Sequence, residues 1–485
     1  MTIDFKKIVI ADLVFCYIPV VLFMAGWCRW EIAVPSCLLL GHMLYSLFRR
    51  TIRPMQKELL TLHPALVISV AVITLLMAFT FGCGGVFAYF FDYEKHSAIV
   101  QDISLYNWPV IYEEADSPSM LTYYVGSYLF PGLVGKIFSS RILAELMLGI
   151  VGWISMMLLL LNMLFLVDAK TTKKQIWTMV IFLGFYGMIL PLQVLLFSFH
   201  DDVQFGLPHW FIHRTLQYRS SLSMLKWVWE QFTIPAFGMI LLYRFRDQRH
   251  LYAIWMLPAL ICGTWSFIAL VSYAVAYYII TCVKGKKFHA DLFSWQNILC
   301  GLMGLVMVTY LAGSMTNEKP QEVQFHLITN WKYYLFSYLP FCLFAFGFYF
   351  MLIWKGVKRD AFFYITLGLL CVIPFCRAGW CNDWCMDVSM LPLFMLNICC
   401  IRFLLDKPTE KQMKRRWVTL IVCLAISSPY VFYEFYNSFD YSGMPKHSLN
   451  QYSCKNCEGV PVDLRTNYFN YNYEESFFYK YIARK

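Results

Sequence analysis

Apolar runs of roughly 18 residues or more, long enough to cross a bilayer as a helix, recur from one end of the chain to the other. Taken as helices they predict about 13 spans, near residues 8–27, 31–48, 64–90, 142–167, 176–197, 230–244, 250–263, 266–283, 296–313, 333–354, 361–377, 388–405 and 416–436. The expected fold is therefore all-α, a polytopic transmembrane helical bundle over residues 1–436 with an outward-facing tail at 437–485. Two large outer loops interrupt it, at 92–140 and 198–231, the first with interfacial or re-entrant helices. The first run follows Phe5, Lys6 and Lys7 but contains Asp12, and no small-residue cleavage site precedes the next run at Ile32. It reads as a retained span rather than a cleaved signal peptide.

Composition agrees with a membrane chain. Of 485 residues, 59% are hydrophobic and 14% charged, against about 25% charged in an ordinary soluble domain. Lipid must cover much of that apolar surface. The net charge of +10 matters less than where it falls. With the N-terminus cytoplasmic, the inside segments hold Lys6 and Lys7, Arg49 to Lys57, Lys170 to Lys174, Arg244 to Arg249, Lys284 to Lys287, Lys355 to Arg359 and Arg402 to Arg416, together 24 of the 40 Lys and Arg. Short inside loops rich in Lys and Arg are the positive-inside signature. The basic balance then calls for no nucleic acid, and the long loops and the C-terminal tail face outward.

Residues 119–138, with Tyr123, Tyr124, Tyr128, Pro131 and Lys136, are apolar enough to span, but counting them would reverse every later loop. They read as re-entrant or interfacial, a form tolerated only against protein or a watery cavity. Most of the 17 cysteines, such as Cys16, Cys37, Cys282, Cys399 and Cys400, fall inside helices as small core residues. Cys454 and Cys457 form a CxxC in the tail, and Cys381 and Cys385 lie in another outward loop. A disulfide or free thiols fit them better than zinc, which needs four ligands.

Three outward segments concentrate polar residues. The first reads DYEKHSAIVQDISLYNWPVIYEEAD over 92–116, the second covers 200–231, and the third reads RAGWCNDWCMD over 377–387. Asp92 directly follows a long apolar run, so its carboxylate belongs at the membrane-water boundary. There it can act as a general base toward a hydroxyl or hold a divalent metal. The plain alternative is a charge that ends a span. The stretch from Glu94 to Tyr112 sets Ile99, Ile103, Trp108 and Val110 among polar residues, as an amphipathic helix on the membrane surface would. Trp108 and Tyr112 also suit the interfacial aromatic belt. Arg214, Arg219 and Arg377 are cations on the outward side, where an anionic lipid phosphate would account for them through charge-assisted hydrogen bonds. Pairing with Asp201, Asp202 or Asp383 accounts for them equally. His209 and His213 are four apart and can share a helix face, although structural histidines are commoner. No P-loop and no strand-led GxGxxG occurs, which argues against ATP or a dinucleotide as direct substrate.

With an acidic residue opening the first large outer loop and interfacial helices following through Trp108 and Pro109, the chain resembles the GT-C superfamily of integral membrane glycosyltransferases. DYEKHSAIVQDISLYNWPVIYEE followed by LTYYVGSYLFPGLVGKIF, together with QYRSSLSMLKWVWEQ and GWCNDWCMDVSMLP, is similar to segments of bacterial GT-C-like proteins over roughly residues 64–400. Such proteins often carry a basic residue where this chain has Asp387. The resemblance implies transfer of a sugar from a polyprenyl-phosphate-linked donor to a periplasmic or lipid-linked glycan acceptor, at the outer face of a bacterial inner membrane. It implies Asp92 as general base, and Glu94 and Asp102 as supporting or metal-binding carboxylates, with Mg or Mn as a possible cofactor. Arg219, Arg377 and Arg214 would bind the donor phosphate, and His96, Trp108, Gln217, Asn382 and Asp383 would contact acceptor or sugar. The chief rival is a secondary transporter or lipid flippase, which often shows repeated halves and midplane charges. Here no internal repeat is visible, although Pro191, Pro235 and Pro374 can break helices. A non-catalytic envelope scaffold is the third reading.

Overall fold

The computed structural model of the protein describes residues 1–85, 91–113, 118–189, 191–192, 216–313, 326–327, 332, 334–357, 359–379, 382–440, 454 and 468–485. The described residues are mostly helical. The helices are α1 (Phe5–Trp27), α2 (Trp30–Leu47), α3 (Pro64–Thr80), α4 (Phe91–Leu105), α5 (Gly126–Ile137), α6 (Arg141–Leu166), α7 (Thr172–Gly184) and α8 (Ser221–Trp227). There follow α9 (Trp229–Arg244), α10 (Tyr252–Cys262), α11 (Thr264–Gly285), α12 (Trp295–Leu311), α13 (Leu339–Ile353), α14 (Ala361–Phe375), α15 (Asp383–Leu405) and α16 (Lys411–Asp440). Three small antiparallel ribbons trim the ends. β1 (Thr2–Asp4) pairs with β2 (Leu59–Thr61), and β3 (Ile111–Tyr112) pairs with β4 (Ser119–Leu121). β5 (His326–Leu327) pairs with β6 (Cys376–Arg377), and β7 (Phe469–Asn470) joins the far side of β4.

Among the described residues six helices are long and apolar enough to cross a membrane: Phe5–Trp27, Trp30–Ile52, Arg141–Leu166, Thr264–Gly285, Asp383–Leu405 and Lys411–Tyr436. Five further apolar helices are only 10–17 residues long. The expected count of about 13 is not reached among the described residues, and the expected spans at 64–90, 176–197 and 333–354 include residues outside them. The run at 64–90 stops as a helix at Thr80, where Gly82, Gly84 and Gly85 all adopt positive φ. A Cβ on Gly84 would lie 2.4 Å from the Glu145 carbonyl oxygen, so the turn requires glycine there. Large apolar side chains on the outside of the bundle, such as Leu38, Ile68 and Val283, are exposed, as lipid contact demands.

The two ends of the bundle differ. α1 has 23 residues and is about 35 Å long. Its start belongs to a basic end: Lys6 donates to the Arg53 carbonyl, Arg244 pairs with Glu58 at 2.6 Å and stacks on Phe5, and Arg402 donates to the Leu166 carbonyl. Its finish belongs to the opposite end, where the Trp27 carbonyl accepts from Arg484 N–H and Trp27 packs on Trp108. The two chain termini therefore sit at opposite ends of α1.

Helix α4 corrects one expectation. It does not lie on a surface but is packed between α5 and α6, and residues 96–104 are buried on every side. Its polar side chains find partners inside the bundle: Gln101 donates to Glu145 at 2.9 Å, and Asp102 Oδ2 accepts from Tyr112 at 2.9 Å. The segment 119–138 contributes β4 and the short α5. Gly132 and Gly135 let α5 approach closely, since a Cβ there would fall 2.3 Å from Ile103 and 2.6 Å from Ala144.

Candidate functional site

At the end opposite the basic loops, polar side chains from five segments converge inside an aromatic shell. α4 contributes Tyr93, Lys95 and His96. The chain leading into α5, and its first turn, contribute Tyr124 and Tyr128. The break at Val228 (φ −145°, ψ 34°) ends α8 and restarts the chain as α9, which puts Glu230 in the first turn of α9, where a helix N-terminus favours a carboxylate. The closely following Gln231 is admitted by Gly263, whose Cβ would fall 2.8 Å from the Gln231 backbone.

His96 is buried and sits between two partners. Its Nδ1 shares a hydrogen bond with the Tyr128 hydroxyl, and its Nε2 lies 3.7 Å from Glu230 Oε1. Beside it, Gln231 Nε2 donates to the Tyr124 hydroxyl at 2.7 Å. Burial, reinforced by Glu230, pushes the Tyr128 hydroxyl well above its ordinary pKa; burial, Tyr468 and Glu230 do the same to Tyr124, with Asp387 adding a smaller push. Both tyrosines thus remain neutral donors. Asp387 in turn lies 3.3 Å from Arg219 Nε. Tyr468 from the tail stacks on Tyr123 at 4.5 Å, and the Lys95 ammonium stands 5.8 Å from its ring.

A second buried pair anchors this end. Lys226 Nζ is 3.2 Å from Glu434 Oε2, and Trp227 Nε1 donates to the same carboxylate oxygen at 3.2 Å. Tyr93 donates to the Lys226 carbonyl, which ties α4 to α8. Burial pulls the Lys226 ammonium below its ordinary pKa, and Glu434 opposes that pull.

The residues singled out from sequence divide into four groups. Asp92 and Glu94 fall on α4 with side chains outside the described residues, and Arg214, His209, His213, Cys381 and Cys457 lie wholly outside them. His96 and Arg219 stand at the convergence. Gln217 is buried just before Arg219, against Cys385. Arg377 is half-buried in β6, close in the chain to Asp383 and Asp387, and has no ion pair among the described residues.

Asp102, Trp108 and Asn382 instead hold the fold. Asp102 Oδ2 accepts from both the Tyr112 hydroxyl and the Cys454 N–H at 2.7 Å, which fastens the tail to α4. Trp108 Nε1 donates to the Ile103 carbonyl at 2.8 Å, and its ring fills the space beside Gly26, so its polar atom is turned inward rather than toward a sugar. Asn382 adopts a left-handed conformation (φ 60°) and accepts from Ala378 N–H, closing the turn before α15. Asp383 packs against Gly379 in that turn. Among the described residues no group of three His, Cys, Asp or Glu is arranged to hold a metal ion.

Sequence reasoning missed Tyr124, Tyr128, Gln231, Glu434 and the pairing role of Asp387. Glu434 had a signal: it is the one charged residue in the apolar run 417–436, and an isolated carboxylate in such a run marks a function or a buried partner. Tyr124 and Tyr128 were placed in the re-entrant or interfacial segment 119–138, but among 32 tyrosines nothing marked their hydroxyls as site groups. No family model, no curated protein and no solved structure matches this chain.

Proposed function

We propose that the chain is an integral membrane glycosyltransferase that works at the aromatic, carboxylate-rich end of the bundle. It transfers a sugar from a polyprenyl-phosphate-linked donor to a glycan or lipid-linked acceptor, on the outer face of a bacterial inner membrane, with the N-terminus cytoplasmic and the C-terminus periplasmic. The observation that carries this reading is the His96 and Glu230 pair, 3.7 Å apart, at the same end as Arg219. An imidazole flanked by a carboxylate can take an acceptor hydroxyl proton. As the acceptor oxygen bonds to the anomeric carbon, the bond to the donor phosphate breaks and the phosphate leaves with the electron pair. Arg219, exchanging Asp387 for the phosphate, holds that charge. Asp92, which the resemblance implies as general base, is the alternative to His96 for that one proton, and Mg or Mn is the divalent cation the resemblance allows.

The test is turnover of polyprenyl-phosphate sugars by the full chain in nanodiscs. Glu230→Gln is expected to lower the rate by about 100-fold or more, and Asp92→Asn run in parallel separates the two candidate bases. Wild-type turnover matched by both variants sinks the assignment.

The transporter or flippase reading draws on a different pair. Asp12 in α1 accepts from Asn162 Nδ2 in α6 at 2.9 Å, both fully buried within spans, and an intramembrane carboxylate is the usual mark of an ion or proton path. Counterflow of an unmodified lipid-linked sugar, lost in Asp12→Asn and kept in Glu230→Gln, favours that reading instead.

A further inference from the structure

An apolar groove of about 380 Å³ runs between α1 and α2 on the outside of the bundle, away from the polar convergence. Ile10, Val14, Ile18, Leu44 and Phe48 form its walls. Tyr17 also lines it but sends its hydroxyl inward to the Ile254 carbonyl at 2.8 Å, so the groove offers carbon to its occupant. Its lining reaches the basic end at Phe48 and Ile52. There α2 widens into a π-helical turn, Phe48–Ile52, closed by Arg53 N–H on the Phe48 carbonyl at 2.8 Å. Arg49, Arg50 and Arg53 are exposed on this turn, and none makes an ion pair among the described residues. Lys6 reaches across to the Arg53 carbonyl at 2.8 Å, and Lys7 is exposed beside it. Of the nearby carboxylates, Glu58 is engaged by Arg244 and Asp4 accepts from the Lys6 N–H.

We propose that this groove holds one anionic phospholipid, its acyl chain along Val14 and Ile18 and its phosphate on Arg49, Arg50 and Arg53. Phe48 and Ile52 of the groove lining lie on the same turn as the exposed arginines, and hydrocarbon next to unpaired guanidinium groups matches a lipid tail and an anionic head group together. A second copy of the chain fits less well. A two-fold contact would oppose the same arginines, and the walls are built of branched residues rather than the small ones that let membrane helices approach. The inference is independent of the glycosyltransferase reading.

The experiment is native mass spectrometry of the full chain extracted from bilayers of equal phosphatidylglycerol and phosphatidylcholine. Wild type is expected to retain one phosphatidylglycerol. Val14→Trp, which fills the groove without adding polarity, is expected to lose it. Removing the three charges together, as Arg49→Gln, Arg50→Gln and Arg53→Gln, is expected to lower the preference for phosphatidylglycerol by roughly tenfold or more. The triple variant alters only exposed side chains, so it reports even where Val14→Trp folds poorly. Equal retention of the two lipids by wild type overturns the proposal. So does unchanged retention in both variants, or efficient disulfide formation between two copies of Ile18→Cys in the same bilayer.

Discussion

The two ends of the bundle use the same chemical groups in opposite ways. At the basic end, Lys174 and Asp406 meet at 3.0 Å with the aspartate 83% exposed. At the other end, Lys226 and Glu434 meet at 3.2 Å with side chains 1% and 2% exposed. Distance is nearly equal, so hydration decides what each pair does. An exposed pair is screened and adds little. A buried pair has lost its water, and each partner then depends on the other. The end holding His96, Glu230, Tyr124 and Arg219 is built on that dependence. Its buried charges lie opposite one another, Glu230 by His96, Asp387 by Arg219 and Glu434 by Lys226.

The sharpest way to break the comparison is to remove one member of the buried pair. Glu434→Gln leaves the Lys226 ammonium buried without its counter-charge, and a loss of about 3–5 kcal/mol is expected. Thermal denaturation of the full chain in a single detergent measures it. The double variant Lys226→Met, Glu434→Leu is expected to recover most of the loss, because it removes both charges and the desolvation that each imposes. A single variant as stable as wild type would mean that water reaches the pair.

How much of this was legible in the sequence varies by element. The long apolar runs gave α1, α6 and α11 within a few residues, because hydropathy and helix length are local properties. The run at 64–90 misled, since three glycines of positive φ end α3 early. α4 misled in another way. Its mixture of Ile99, Ile103, His96 and Asp102 has the composition of a surface helix, yet its polar groups find Glu145, Tyr128, Glu230 and Tyr112 up to 134 positions away in the chain. Spacing along one segment cannot reveal partners that only the folded bundle supplies. Arg219 and His96 were visible as polar residues in segments expected to face outward, but the roles of the tyrosines and the Glu230 pairing were not.

A smaller effect sharpens the contrast through glycine. Gly132 in α5 lies at the polar end, where an added Cβ would fall 2.3 Å from Ile103, whereas Gly41 in α2 has nothing within 4 Å of its position. Gly132→Ala is expected to destabilise by roughly 1–3 kcal/mol through overpacking. Gly41→Ala is expected to stabilise by up to about 1 kcal/mol, because alanine favours the helix and meets only lipid. Melting both variants side by side compares a packed helix contact with a lipid-facing one, and equal shifts of the same sign would erase the distinction.

The smallest expected effect tests the exposed end. Lys174→Ala removes the ion pair with Asp406, and a change under about 0.5 kcal/mol is expected, because both groups regain full hydration when the pair is lost. Salt is the discriminating variable: whatever coupling the pair has should vanish as ionic strength rises toward 1 M, where the screening length falls to about 3 Å. The Glu434→Gln loss should persist under the same salt, since ions do not enter a site shielded by Trp227 and α16. A salt-insensitive loss in Lys174→Ala would place a structural charge at the basic end too, and burial would no longer separate the two ends.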